Sequence, residues 1–107
     1  MIEVTIKMAV PPEKRVEILQ TLQALLGPIR HEQGCASCNF VVGVNDKNII
    51  FFKEEWLTSE DWGTHQKSGH HSILIGAMTL LRNEPEISVI NIASSEEALL
   101  VHTAKVS

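Results

Sequence analysis

Residues 2–10, IEVTIKMAV, alternate: Ile2, Val4, Ile6, Met8 and Val10 fall on every second position. Successive strand side chains point to opposite faces, so this spacing predicts a strand with one strongly apolar face. Pro11 and Pro12 close it, and a proline suits the first turn of the helix that follows. The period then changes. EKRVEILQTLQALL places Val16, Leu19, Leu22 and Leu26 along one side of a helix, and Gly27-Pro28 stops or bends it.

Gly34 opens a second predicted strand, roughly Cys35 to Val44, and Asn45-Asp46-Lys47-Asn48 is a turn by composition. A third strand from Asn48 to Trp56 completes a hairpin. Thr58-Ser59-Glu60-Asp61 resembles a helix start, with a hydroxyl cap and acids in the first turn. That helix runs to about Lys67, and Ser68-Gly69 breaks it. HHSILIGAMTLLRN restarts it, with Ile73, Ala77, Leu80 and Leu81 on one side. Pro85 precedes a last strand, EISVINIAS. The tail, SSEEALLVHTAKVS, starts like a capped helical turn, with Glu97 and Ala98 after two serines.

The order β-α-β-β-α-β predicts an α+β, ferredoxin-like split βαβ fold: an antiparallel sheet with helices on one face. Residues 1–94 form the expected domain, with 95–107 a tail free to contact a partner subunit. IIFF (49–52) and FVV (40–42) put apolar residues on both faces of the hairpin. Helices can cover only one face, so a second copy packed sheet to sheet is expected on the other.

Composition narrows the function. The chain has 107 residues, enough for one core, with 44% apolar and 21% charged residues. The formal charge of −4, without a basic cluster, argues against nucleic acid and anionic membranes. No apolar run approaches the ~20 residues that span a bilayer. The N-terminus alternates like a strand rather than a signal core, so a cytoplasmic location is expected.

The chemistry-bearing stretch is EEWLTSEDWGTHQKSGHH, residues 54–71, which holds both tryptophans and three of the five histidines. His65 and His70 are five apart across a Ser-Gly break, and adjacent His70 and His71 point apart on any regular element, so no metal site is expected. Glu54 and Glu55 face opposite ways on a strand and cannot act as a paired acid and base. Cys35-Ala-Ser-Cys38 leads into a strand, where positions three apart diverge, so two small buried thiols are expected rather than a redox pair. No nucleotide or phosphate motif occurs. The ordinary reading makes the tryptophans core and the histidines surface or capping residues. The functional reading is an aromatic-walled pocket with one imidazole titrating near neutrality, suited to a flat apolar substrate with an acidic proton.

Three motifs bring a family into view. Glu32-Gln33-Gly34-Cys35 is similar to an acidic-x-Gly-Cys entry to the second strand. Glu54-Glu55-Trp56 is similar to a Glu-x-Trp that ends the third. His65-Gln-Lys-Ser68-Gly-His70 is similar to a His-x-x-Ser-x-His pattern nine residues after that tryptophan. Together, over about Met1 to Ala93, the chain resembles the antibiotic biosynthesis monooxygenase domain, a dimeric α/β-barrel family that includes quinol monooxygenases. The resemblance implies a homodimer that oxidises a small aromatic, a quinol or anthrone, with dioxygen and no cofactor or metal. It implies His65 as base, Trp56 as pocket wall, His70 as a second polar contact and Glu54 as a group positioning His65. Trp62, Phe40, Phe52 and Met78 are expected as lining, from parity and proximity.

One position departs from the family pattern: Cys38 stands where a tyrosine often follows, and the chain has no tyrosine. Two alternatives therefore stay open. One is a related isomerase of a phosphorylated sugar, for which the motif region offers only Lys53 and Lys67 as cations. The other is a non-catalytic dimeric ligand-binding or stress-response module. The related haem-degrading branch uses a first-strand Asn, a Trp and a His; this chain has no Asn on its first strand, and has His65 and about Ile75 at the other two positions.

Overall fold

Strand β1 (Ile2–Ala9) is the centre of a five-stranded antiparallel sheet in the computed structural model. The structure describes residues 1–94 and 97–105, those from residue 93 onward by backbone alone. A tight turn over Pro12–Lys14 leads into α1 (Arg15–Arg30). Then follow β2 (Cys35–Val42), β3 (Ile49–Trp56), α2 (Ser59–Gln66), α3 (Gly69–Met78), β4 (Glu86–Ser94) and β5 (Glu97–Lys105). The strand order is β2-β3-β1-β4-β5. Its first four strands carry the ferredoxin-like arrangement, with the helices on one face.

Register explains the core. Ile2, Val4, Ile6 and Met8 lie opposite Trp56, Glu54, Phe52 and Ile50. Cross-strand partners share a face, so these eight side chains form one surface, and all are buried under the helices. On the outer face β3 presents Ile49, Phe51, Lys53 and Glu55, and Val41 lies opposite Phe51. That face is thus split. It is apolar at Val41, Ile49 and Phe51, and polar around Glu3, Thr5, Lys53 and Glu55.

Three local expectations change. Helix α1 does not stop at Gly27-Pro28 but runs on to Arg30. Proline in the last turn removes one backbone donor without breaking the turns before it. The imidazole Nδ1 of His31 bonds the Gly27 carbonyl at 2.8 Å. The buried stripe of α1 is Ile18, Leu22, Leu25, Leu26 and Ile29, and Val16 in the first turn is exposed. Helix α3 ends at Met78, with Leu74 and Met78 buried and Ile73 exposed, so Leu80 and Leu81 lie past its end.

The third change is at the tail. Glu97–Lys105 is a strand paired with β4, not a helical turn. Pairing satisfies its backbone along the open edge of β4, which a single turn could not do. Ser95, Glu96, Val106 and Ser107 lie outside the described residues, as do the side chains of the apolar patch Ala98–Val101.

Candidate active site

Two turns bring the site together. Gly34, between α1 and β2, has φ of 81°, the left-handed region that glycine enters without cost. A Cβ there would lie 2.1 Å from Asp61 Oδ2, so the α1–β2 turn and the start of α2 touch. Thr58 caps α2: its hydroxyl oxygen accepts from the Asp61 N–H at 3.0 Å and its O–H donates to Asp61 Oδ2 at 2.9 Å. Ser68 caps α3 by accepting from the His71 N–H at 3.2 Å. These caps set the phase of the two short helices. They turn His65, in the last turn of α2, inward, and place His70 and His71 in the first turn of α3.

His65 is 1% exposed. Its Nδ1–H donates to Glu32 Oε1 at 2.9 Å. Its Nε2 lies 3.1 Å from Glu54 Oε2, a close charged contact in which neither atom has a well-aligned hydrogen bond. The other Glu54 oxygen accepts from the Trp56 indole N–H at 3.2 Å. The Trp56 and His65 rings stack with centroids 4.5 Å apart. Glu32 Oε2 accepts from His70 Nδ1–H at 2.8 Å. The His71 ring stands edge-on to His65 at 5.2 Å, and its buried Nδ1 has no hydrogen-bond partner.

Burial alone would lower the His65 pKa below the ordinary 6.5. The close carboxylate of Glu54, then the hydrogen bond and charge of Glu32, outweigh it and raise the value. A buried carboxylate is costly unless paired, and His65, when protonated, supplies the counter-charge beside Glu54. His71 moves the other way: burial first, then the charge of His65, hold it below 6.5 and neutral. The site therefore holds two imidazoles of opposite protonation preference in edge contact.

The structure gathers His65, Trp56, Glu54 and His70 into one cluster. It does not bring the other candidates to the imidazole. Phe52 is core on the sheet face below. Phe40 lines a groove with Leu19, Gln23 and Ala24 of α1. Met78 lines a cavity of about 270 Å³ with Ile75, Leu81 and Pro85, past the far end of α3. Trp62 is half-buried at the margin of the core, and Trp56, not Trp62, stacks on His65. Glu32 and His71 join the cluster without having been singled out as site residues. In the sequence Glu32 marks only a turn motif. It is 33 positions from His65, a distance no periodicity spans.

The cysteines are free thiols packed in or against the core, but their side chains do not diverge as expected. Cys35 lies opposite Trp56 and Cys38 opposite Glu54, with a register shift between Cys35 and Ser37. The bulge adds one residue, so both thiols face the core instead of diverging. Burial and the neighbouring Glu54 push Cys38 up to about 12, and burial, Glu54 and Glu32 raise Cys35. Both thiols are unpaired and held protonated, poor nucleophiles at neutral pH. Among the described residues, no group of three His, Cys, Asp or Glu side chains has a metal-binding arrangement.

Comparison with known proteins places this geometry. The antibiotic biosynthesis monooxygenase family profile matches residues 1–73, which include Glu32, Glu54, Trp56, His65, His70 and His71. A conserved protein of Methanosarcina mazei Go1 is 27% identical and superimposes with a TM-score of 0.77, covering 82% of this chain and 88% of that one. The crystal structure of an antibiotic biosynthesis monooxygenase, 19% identical, shares the fold with a TM-score of 0.79 over 88% of this chain and all of its own. An uncharacterized protein of Synechocystis sp. is 27% identical over 88 residues, 81% of this chain, and the chain spans 60% of that relative's length. With the family match covering most of its length, this chain belongs to the antibiotic biosynthesis monooxygenase family.

Proposed function

We propose that the chain is a cofactor-independent monooxygenase of the quinol-oxidising kind, acting as a cytoplasmic homodimer on a small aromatic substrate. The observation that carries this reading is the buried imidazole of His65, held between two carboxylates and stacked on Trp56. A base in a dry aromatic setting is what proton abstraction from a phenol needs. His65 takes the phenolic proton, and the electron-rich anion reacts with dioxygen. For a hydroquinone the products are a hydroxyquinone and water. One oxygen atom enters the ring, the other leaves as water, and the substrate supplies all the electrons. Glu54 and Glu32 stabilise the imidazolium that forms.

His65, Glu54 and Trp56 are all buried, so substrate entry requires the α2–α3 segment to move. The Ser68-Gly69 junction between two short, separately capped helices is the place for that movement. The apolar part of the outer sheet face supports the homodimer, and two unpaired thiols fit a reducing compartment.

The test is oxygen uptake, without added cofactor, over a panel of hydroquinones and anthrones. His65→Gln keeps most of the side-chain volume, and it is expected to lower turnover roughly a hundredfold. Unchanged turnover would remove His65 from the chemistry. The closed packing around His65 favours a second reading, a dimeric ligand-binding module without turnover. A ligand that raises the melting temperature with no oxygen uptake would support it.

A further inference from the structure

We infer that Glu32 is a proton relay that connects the buried imidazole of His65 to solvent through His70. The two carboxylate oxygens are divided between the two rings: Oε1 meets His65 Nδ1 at 2.9 Å and Oε2 meets His70 Nδ1 at 2.8 Å. Exposure rises along the path. The His65 side chain is fully buried, Glu32 is 16% exposed and His70 is 38% exposed. The opposite end of His65 leads inward. Glu54 is buried, and its second oxygen is occupied by the Trp56 indole. His71 stands edge-on with no hydrogen bond from its Nδ1. Among the described residues, the hydrogen-bonded way from His65 to water is Glu32 and then His70.

The need for such a path follows from burial. The oxygenation returns the proton taken by His65 to the product water, so the path serves the ring's equilibrium with solvent: a ring sealed from water reaches its neutral form only if its proton has a way out. The transfer is simple to balance. The N–H bond at His65 Nδ1 breaks as an O–H bond forms on Glu32 Oε1. Rotation about the terminal C–C bond of Glu32 exchanges the two oxygens. The O–H bond then breaks as the proton passes to the bare Nδ1 of His70 in its Nε2–H tautomer, which His70 reaches from the Nδ1–H form by exchanging its ring protons with water. His70 releases a proton from its other nitrogen to water. Nothing is oxidised or reduced.

The groups that face the path are Glu54 from β3, His71 from α3, the thiols of Cys35 and Cys38 from β2, and the Arg30 guanidinium from α1. The charge of Arg30 acts on both thiols, and its Nε–H is bonded to the Cys38 carbonyl at 2.9 Å. Glu32 does not touch substrate; it acts through His65. The relay deepens the reading of His65 as the proton acceptor.

The experiment is solvent exchange of the His65 ring N–H, followed by NMR on histidine-labelled protein with neither substrate nor oxidant present. Glu32→Gln keeps the shape and a hydrogen bond to His65 but cannot carry a proton. It is expected to slow exchange roughly tenfold or more, and His70→Phe to slow it similarly. A residue that only orients the ring gives the reverse pattern, exchange unchanged or faster in both variants, and that result overturns the relay. Should Glu32→Gln fail to fold, His70→Phe decides alone, because its side chain is partly exposed. Slowed exchange with no oxygen uptake by wild type would keep the relay and sink the oxygenase. Oxygen uptake lost in His65→Gln, with exchange unaffected in the other two variants, would do the opposite.

Discussion

At the residue scale, one imidazole is drawn toward the charged form and its neighbour toward the neutral form. His65 has a folded pKa above 6.5, so its stabilising contribution is full below 6.5 and is lost as pH rises through the folded value. His71 has a folded pKa below 6.5, so its contribution is full above 6.5 and is lost as pH falls through the folded value. In the native protein the two trends oppose one another near neutrality. His71→Phe removes the acid-side loss. The variant is therefore expected to gain melting temperature relative to wild type at pH 5.5, and less or not at all at pH 8. A difference that is the same at both pH values would contradict the assignment. The activity of the proposed oxygenase should rise as pH passes through the His65 value, because only the neutral ring accepts a proton.

At the element scale, the site depends on where two short helices begin. Neither α2 nor α3 is long enough to be stable by itself, so caps and packing set their phase. Thr58→Ala removes the α2 cap and is expected to cost about 1 kcal/mol in chemical denaturation. Gly34→Ala should cost more. It forces a non-glycine residue to φ of 81° and drives a methyl into Asp61, which Thr58 holds in place. The backbone strain alone is roughly 1–3 kcal/mol. Asp61→Gly in the same chain, which also removes the Cβ 2.5 Å from the new methyl, should recover the steric part and leave the strain, measured against Asp61→Gly alone. Equal stability of Gly34→Ala and wild type would show that the turn does not hold α2 against β2.

At the scale of the whole molecule, the sheet has one face sealed by helices and one divided face. Val41 is 48% exposed and lies in register with Phe51, beside Ile49. A patch of this kind at the β2–β3 side of the sheet favours association through that face. The proposed dimer should sediment as such at micromolar concentration, and Phe51→Lys should shift it to monomer while leaving the fold intact. A wild-type monomer under those conditions would remove the dimer. Residues 1–73 carry the family match, yet β4 lies beyond it and pairs with β1 at the middle of the sheet. A chain cut after residue 73 should therefore fail to fold, since Val89 supplies part of the core opposite Val4.

By itself the sequence determined the elements whose signal is local. Alternation at Ile2, Val4, Ile6 and Met8 specifies a strand with one buried face, and the Asn45–Asn48 turn specifies a hairpin. The hydroxyl of Thr58, just before two acids, specifies a helix start. Each is a relation between residues a few positions apart. The motifs around Gly34, Trp56 and His65 were legible for the same reason, and they pointed to the family. Tertiary structure decided what depends on distant residues. It carried α1 through Gly27-Pro28 because packing of Ile29 outweighs a local stop signal, and it made a strand of Glu97–Lys105 because β4 offered an open edge. It turned both cysteines inward by one bulge. Above all, it set Glu32 from a turn against His65 from a helix. Whether an imidazole is charged depends on which carboxylates lie within 3 Å or so, and no spacing along the chain records that.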